Sequence, residues 1–429
     1  PLTTCLTLLV SLSYAAGSTF QPSGVPFKSP VTVAPGLEAR VLFSNLTTPR
    51  GIAFDSQANL LVVERGLGIT AFTNIQTPSQ GVVRSVVISN PNFTQGIQVD
   101  DSNLYASTAG QTFLFDYDPT TKTVKGPGQV IIDGIPPDGD LTTHTLQLTP
   151  ASSPLGKGIL VAVGPFMNID VTARDPSSGR SQVRFFPLIN KIPQNFLDGK
   201  LIAYGIRNPA GIAFSPFDVS SSTLYVVENG ASIDNVTGLT PAFVNDNPAD
   251  ELERVDLRTA AVSYGFPDCT TLWNGTADPV GDPQYTKLKR GTQISLMLEA
   301  GRDNAWCQKV ANNHPPALPL AAHSVPLDIK FIPRAAHPST KSFPSSVVGD
   351  AVVSFHGSFD RTPPTGYGVV HVPFNNGNPA GFEYIIQATN LASCPGSCIR
   401  PVGLAFGPDG RLYVSSDSSG ELFVLERSG

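Results

Sequence analysis

Six places in this 429-residue chain carry side chains able to bind an anion or move a proton, and all six sit at the same point of a recurring pattern. They are Arg50, Gln95, His144, the pair Arg207–Asn208, His323 and Arg400, each at the head of an apolar alternating segment. Arg or His recurs there although charged residues make up only 14% of the chain and it holds six His. Guanidinium groups grip carboxylates through paired hydrogen bonds. Imidazole changes protonation near neutral pH. Any one of these residues alone is an ordinary loop residue. Brought together from equivalent positions, they would form one polar site suited to an anionic ligand and a proton transfer.

The elements that position them form a repeat. Its copies are PRGIAFDSQANLLVVERG (Pro49–Gly66), QGIQVDDSNLYASTAG (Gln95–Gly110), HTLQLTPASSPLGKGILVAVG (His144–Gly164) and NPAGIAFSPFDVSSSTLYVVENG (Asn208–Gly230). The fifth lies within Pro326–Ser358, and the sixth is RPVGLAFGPDGRLYVSSDSSGELFVLER (Arg400–Arg427). In each, period-two alternation marks a strand with one face inward, and Asp/Pro/Gly turns lead into a second strand. TFLFDYD (Thr112–Asp118) supplies a further strand after the second copy. Four strands per unit make a propeller blade. The chain is therefore expected to be all-β, a six-bladed β-propeller over residues 17–429, with no helix beyond a turn or two and no linker to a second domain. The strand Leu37–Leu46 is expected to complete the last blade and close the ring, leaving no free edge. Residues Asn235–His323 read as an insertion in one face of the disc.

Bulk properties narrow the partners. The net charge of −6, with no long basic run, argues against nucleic acid. Residues 1–16 resemble the tail of a secretory signal peptide and are too short to span a bilayer. Cys5 falls inside that segment, leaving Cys269, Cys307, Cys394 and Cys398. An even number in a secreted chain points to disulfides: Cys394–Cys398 closing a small loop and Cys269–Cys307 bracketing the insertion. A metal site is the rival use, but no His stands at a ligand spacing beside them. Sequons at Asn45, Asn92, Asn235 and Asn274 are candidate glycan sites. A secreted, extracellular monomer with no membrane partner is the expectation.

Longer strings carry a family resemblance. YGIRNPAGIAF (Tyr204–Phe214) resembles a motif of the soluble quinoprotein glucose and sorbosone dehydrogenases. HGSFDRTPPTGYGVVHVPF (His356–Phe374), NPADELERVD…SYGFPDC (Asn247–Cys269) and IRPVGLAFGPDGRLYVSSD (Ile399–Asp417) are similar to further segments of that family. The resemblance runs through nearly all of the chain after residue 37, and a secreted, glycosylated member resembles the fungal pyranose dehydrogenases that use pyrroloquinoline quinone (PQQ). It implies that His144 is the catalytic base and that Arg207 stabilises charge on the quinone carbonyl; Asp170, in GPFMNID, is expected to orient His144, although the bacterial glucose enzymes carry their Asp elsewhere. It implies cofactor contacts from Gln95, Asn208, Arg361 and Arg400, and His323 is expected to join them from the strand-head set. It places a bridging Ca²⁺ on the backbone carbonyls of Gly230 and Ala231. A second, structural Ca²⁺ could use the acidic stretch Asp246–Glu251; a solvated loop is the alternative. Gly368 and Ala231 depart from relatives that carry Lys and Pro there. The stretch holds no haem or cellulose-binding segment, so electrons are expected to pass to a separate acceptor.

Two other functions stay open. A propeller lactonase or hydrolase built round bare Ca²⁺ would need side chains such as Glu64, Glu228 and Asn229 in the channel. A non-catalytic binding propeller is allowed by the fold alone. The preferred sugar would be set by loop shape in Asn235–His323 and Thr362–Tyr367.

Overall fold

Six sheets, each built on four or more strands that are antiparallel except for one short outer pair, are arranged around a common axis in the computed structural model, which describes residues 20–21, 25–188 and 193–429. Residues 1–16, read as a signal peptide and including Cys5, lie outside the described residues. The innermost strands of blades 1 to 6 are Pro49–Phe54, Phe93–Asp100, Thr145–Leu148, Pro209–Phe214, Pro326–Phe331 and Pro401–Phe406. Each packs on the next, and the sixth packs on the first. All six therefore start at one end of the disc, and the six polar positions anticipated from the repeat fall at or beside those starts. Inward-facing Val, Leu and Ile from facing blades fill the wedges between them.

Two local devices let the inner strands sit this close. The first is glycine at the same repeat position. A Cβ on Gly51 would lie 2.1 Å from the Gln95 carbonyl oxygen, and one on Gly403 would lie 2.5 Å from that of Arg50. The second is a register shift at the head of five of the six inner strands, the exception being blade 3. Such bulges free backbone groups from the ladder and re-aim side chains. In three blades a serine of the second strand catches the freed groups. Ser415 Oγ accepts from the Gly403 N–H and donates to the Arg50 carbonyl of the next blade. Ser107 links Gly96 to His144, and Ser354 links Asp328 to Val402, in the same way. All three serines are fully buried.

The ring closes as expected, because Leu37–Phe43 pairs antiparallel with Glu421–Arg427 and so makes the outer strand of blade 6. Thr112–Asp118 is the third strand of blade 2. Both disulfides, Cys269–Cys307 and Cys394–Cys398, are formed. Among the described residues the two α-helices are single turns, Pro241–Asn245 and Asn304–Cys307, and no helix is long and apolar enough to cross a membrane.

The insertion needs a correction. Asn235–His323 contains the two outer strands of blade 4, Asp250–Asp256 and Leu318–Leu320. The added material is the two connections that flank the first of these strands. They pack together through Phe243, Leu272, Tyr285 and Ile294, with a small sheet of Cys269–Thr271 and Gln293–Ser295.

Replacing Ser415 by Ala is expected to leave the Gly403 N–H and the Arg50 carbonyl buried without partners, lowering unfolding free energy by about 1–3 kcal/mol. Chemical denaturation measures this, and a change below about 0.5 kcal/mol, the range of an ordinary surface substitution, would contradict it.

Candidate functional site

The heads of blades 1, 2, 5 and 6 converge on one carboxylate. Arg50 Nη1 donates to Asp417 Oδ2 at 2.6 Å, and its Nη2 donates to Gln95 Oε1 at 2.5 Å. The other oxygen of Asp417 lies 2.9 Å from His356 Nε2. Burial pushes the Asp417 carboxyl up, but the hydrogen bond and charge of His356 and the charge of Arg50 outweigh it and hold it well below the usual range. Asp417 is thus ionised and acceptor-only, so Nε2 carries the proton and Nδ1 keeps the lone pair. Burial lowers the His356 pKa, with Asp417 opposing, so the ring is neutral at neutral pH. Arg400 donates from Nε to the His356 carbonyl and from Nη2 to that of Gly357, and its guanidinium lies over the Tyr367 ring. Its Nη1 has no protein partner among the described residues.

At the same end of the disc lies a cavity of about 370 Å³; no side chain of this cluster lines it, but Val325 in its wall accepts from the His356 N–H at 2.9 Å. Arg207 forms part of its wall. Its guanidinium donates to the Asn168 carbonyl and side chain and to the carbonyls of Asn229 and Gly230. Every acceptor is neutral. Burial pulls its pKa down to about 10, with the Glu228 charge opposing, and it remains a cation. The carboxylates of Asp140, Asp250 and Asp360 also line the cavity. Asp250 is buried and accepts from the N–H groups of Gly230 and Val325. His323 faces the cavity with Nε2 2.9 Å from the Val244 carbonyl and Nδ1 3.7 Å from Asp360. Phe359, 77% exposed, gives the rim an apolar face.

Several expected roles change against this geometry. Neither His144 nor His356 lines the cavity, but His144 is 0% exposed whereas His356 is only half-buried. His144 Nε2 is 2.7 Å from the Ala109 carbonyl, and Nδ1 is buried without a well-formed hydrogen bond. Asp170 does not orient it. That carboxylate caps a turn instead, accepting from the N–H groups of Phe166 and Thr172 and from the Thr172 hydroxyl. The carboxylate-held imidazole is His356. Arg361 is not free for a ligand, because it is paired with Asp246 and bonded to the Ala322 carbonyl. Gln95 is fixed between Arg50 and Thr145, and Asn208 is bonded to Asn229.

The bare-calcium set does not assemble. Glu64 is consumed by Arg84, Thr70 and the Thr47 N–H, while Asn229 bonds Asn208 and the Pro326 carbonyl. Nor do the acids of Asp246–Glu251 share one site. Asp246 pairs with Arg361, Asp250 faces the cavity, and Glu251 turns inward on the opposite face of the strand. Asn45, Asn92 and Asn235 are exposed, whereas the Asn274 side chain is half-buried and donates to Asp246. A glycan at Asn274 would replace one of its two amide hydrogens and leave a single N–H for that bond.

The donor set fits a planar polycarboxylate. Arg400 hydrogen-bonds only through Nε and Nη2 among the described residues, and Arg50 Nε is buried without an acceptor. Arg207 carries a charge that no contacting carboxylate cancels. It fits a hard cation as well. The Gly230 carbonyl faces the cavity, has a second lone pair beyond the one Arg207 uses, and stands beside Asp250.

Residues 31–428 match a family described as TrAA12-like. The chain is 33% identical to a pyrroloquinoline quinone-dependent sugar dehydrogenase of Hypocrea jecorina, covering 94% of this chain and 91% of that protein. It is 31% identical to a pyrroloquinoline quinone-dependent pyranose dehydrogenase of Coprinopsis cinerea, of which it spans 54%. Among solved structures, a Trichoderma reesei protein of Carbohydrate-Active Enzymes Family AA12 superposes with a TM-score of 0.82 at 32% identity, covering 94% of this chain and 99% of that one. The holo PQQ domain of the Coprinopsis cinerea pyranose dehydrogenase gives 0.79 at 30% identity, covering 93% and 97%.

Burial pushes the His144 pKa down to about 4, from 6.5 for the free group. The unfolded chain therefore takes up a proton on falling from pH 6.5 while the folded one stays neutral, so folding weakens as pH falls. Relative to His144→Gln, the wild type is expected to lose about 3 kcal/mol of stability between pH 6.5 and 4. Parallel pH–stability curves of the two proteins would contradict the sealed, neutral ring.

Proposed function

The chain belongs to the TrAA12-like family, and on that premise we propose that it oxidises a sugar at a ring hydroxyl carbon, using PQQ and Ca²⁺ and passing electrons to a separate acceptor. The observation that carries this is the imidazole of His356, held by Asp417 and flanked by Arg50 and Arg400 beside the Arg207 cavity. The names of the two fungal relatives support the substrate class and the quinone.

Arg400 and Arg50 would hold the quinone carboxylates, with Arg207 near its reactive face. The Gly230 and Ala231 carbonyls, with Asp250 beside them, would hold the calcium. When bound, the quinone accepts the hydride of the sugar carbon, and Ca²⁺ polarises it. His356 Nδ1 takes the proton of the sugar hydroxyl. Asp417 fixes the tautomer that leaves Nδ1 free and balances the imidazolium that forms. Arg207, clamped by neutral oxygens, presents a fixed positive charge that needs no reorganisation. Phe359 gives the apolar face of a pyranose a surface to lie on. The formed disulfides and exposed sequons support an extracellular setting, in which the acceptor is an external redox protein or small quinone.

Titrating the purified protein with PQQ and Ca²⁺ is expected to give a bound-quinone absorption spectrum that an aldose or ketosugar bleaches. No binding, or no bleaching by any sugar, would end the proposal. Replacing His356 by Asn is expected to lower kcat about 10²–10⁴-fold while quinone still binds. Replacing Arg400 by Ala should instead weaken quinone binding about tenfold or more, the scale of a lost charged hydrogen bond. A His144→Asn protein that loses as much kcat as His356→Asn would move the base back to His144.

A further inference from the structure

We infer that the outer edge of blades 3 and 4 carries a second saccharide site, a pocket beside Trp306 that takes the carboxylated ring of an acidic sugar, a hexuronate. It shares no lining residue with the cavity, and it does not rest on the proposed oxidation.

Three parts of the chain meet there. Tyr204 ends the outermost strand of blade 3, three residues before Arg207, which places the pocket at the same end of the disc as the cavity. Arg174 comes from the blade 3 connection that also supplies Asn168 to the cavity wall. Asp268, Arg302 and Trp306 come from the added segments of blade 4. The Cys269–Cys307 bridge joins the residue after Asp268 to the residue after Trp306. A covalent bond therefore holds the carboxylate and the indole near one another.

Charge in the wall is unbalanced. Asp268, 2% exposed, accepts from Arg174 Nε and Nη2 at 2.9 and 2.7 Å and from Arg302 Nη1 at 2.5 Å. One carboxylate thus holds two guanidinium groups. Glu299 approaches both, at 3.1 and 3.3 Å, but its side chain is 45% exposed and does not line the pocket. An ion pair that open contributes little. The Arg302 guanidinium hydrogen-bonds only through Nη1 among the described residues. Two fixed cations against one carboxylate, with donors unspent, suit an incoming carboxylate.

The remaining wall selects what carries that carboxylate. The Arg302 guanidinium lies 5.1 Å from the centroid of the Trp306 ring, so a group bound to it brings its carrier against the half-buried indole. Ser263 Oγ accepts from the Gly265 N–H and keeps its own proton to donate. Asn312 donates to the Trp306 carbonyl and keeps its side-chain oxygen to accept. An aromatic surface, a cation and hydroxyl-reading groups match a ring with an apolar C–H face, hydroxyls and a carboxylate. A neutral sugar would leave the cation unanswered, and an aromatic acid would leave the polar groups unanswered. The space of about 230 Å³ is smaller than the pockets of about 300–1,000 Å³ that enclose drug-sized ligands, so it takes one ring. At a net charge of −6 the chain as a whole repels polyanions. Attachment to an acidic polysaccharide would therefore depend on this pocket rather than on bulk charge.

The test titrates the full chain, without quinone, by calorimetry with trigalacturonic acid, with the neutral trisaccharide of the same linkage, and with inorganic phosphate. The acid is expected to bind saturably and about tenfold or more tighter than either of the others, the scale of a charged hydrogen bond. Trp306→Ala and Arg302→Gln are each expected to weaken it about tenfold or more. Arg400→Ala, which alters the cluster assigned to the quinone, is expected to bind it as the wild type does. Crystals soaked in the acid give a readout that needs no variant: a uronate ring seated against Trp306 with its carboxylate on Arg302. Absence of saturable binding would overturn the site. So would equal binding of the neutral trisaccharide or of phosphate, full binding by both pocket variants, or a soaked ring seated elsewhere. None of these results bears on quinone binding, which is measured separately.

Discussion

The active end of this molecule depends on a contact that carries no charge: a bulged inner strand whose freed N–H and whose neighbour's carbonyl are both caught by one buried serine hydroxyl. Each clip replaces two orphaned backbone groups with two hydrogen bonds, and leaving such groups unpaired costs about 1–3 kcal/mol apiece. The serine of blade 6 fixes the backbone of Arg50, and that of blade 2 fixes the backbone of His144. The bulge lies at the strand head, where the ligand-facing side chains stand. The irregularity that aims those side chains is therefore the same feature that binds blade to blade.

How each arginine is neutralised decides what it can still do. Arg361 spends its charge on Asp246 and becomes a rivet between loops. Arg207 is held at least as firmly, by four hydrogen bonds, but only to carbonyl and amide oxygens. Dipoles orient a guanidinium without cancelling it, so its field still reaches into the cavity. Arg50 is intermediate: Asp417 pairs with it, yet that carboxylate also holds His356. A single negative charge thus fixes both a cation and a neutral imidazole. Burial and the charges of Arg400 and Arg50 keep that imidazole unprotonated against the pull of the carboxylate.

The repeat, the closing strand and both disulfides were legible in the sequence because alternation and turns are local and cysteines are few. The outer strands of blade 4 were hidden, since DELERVD (Asp250–Asp256) puts charged residues where alternation predicts apolar ones, and Leu318–Leu320 is three residues long. Six strand-head positions were correctly expected at one end, but the roles within them were not separable. The partnership of His356 and Asp417 spans two blades and leaves no mark in spacing. Each follows the second strand of its blade rather than preceding the first. Both lay inside strings already recognised as family-like. Asp170 misled for the opposite reason: an acid two residues before Thr172 reads equally as an orienting carboxylate or a turn cap, and only its local N–H contacts decide.

The added segments of blade 4 tie selectivity to stability. Their core includes Ala231, the residue after the cavity carbonyl of Gly230. One of their backbone carbonyls, that of Val244, orients His323. Asn245 exchanges two hydrogen bonds of 2.8 Å with Thr362, and Asp246 pairs with Arg361, so the loop carrying Phe359 and Asp360 is fastened to the same segment. The wall that a sugar would meet is thus a joint between blades 4 and 5 rather than a free loop. A change in the segment moves the carbonyl turn, the imidazole and the aromatic rim together. Reshaping the pocket for another sugar while sparing the arginine and His356–Asp417 cluster therefore means altering residues 241–246 and 359–362 as one unit.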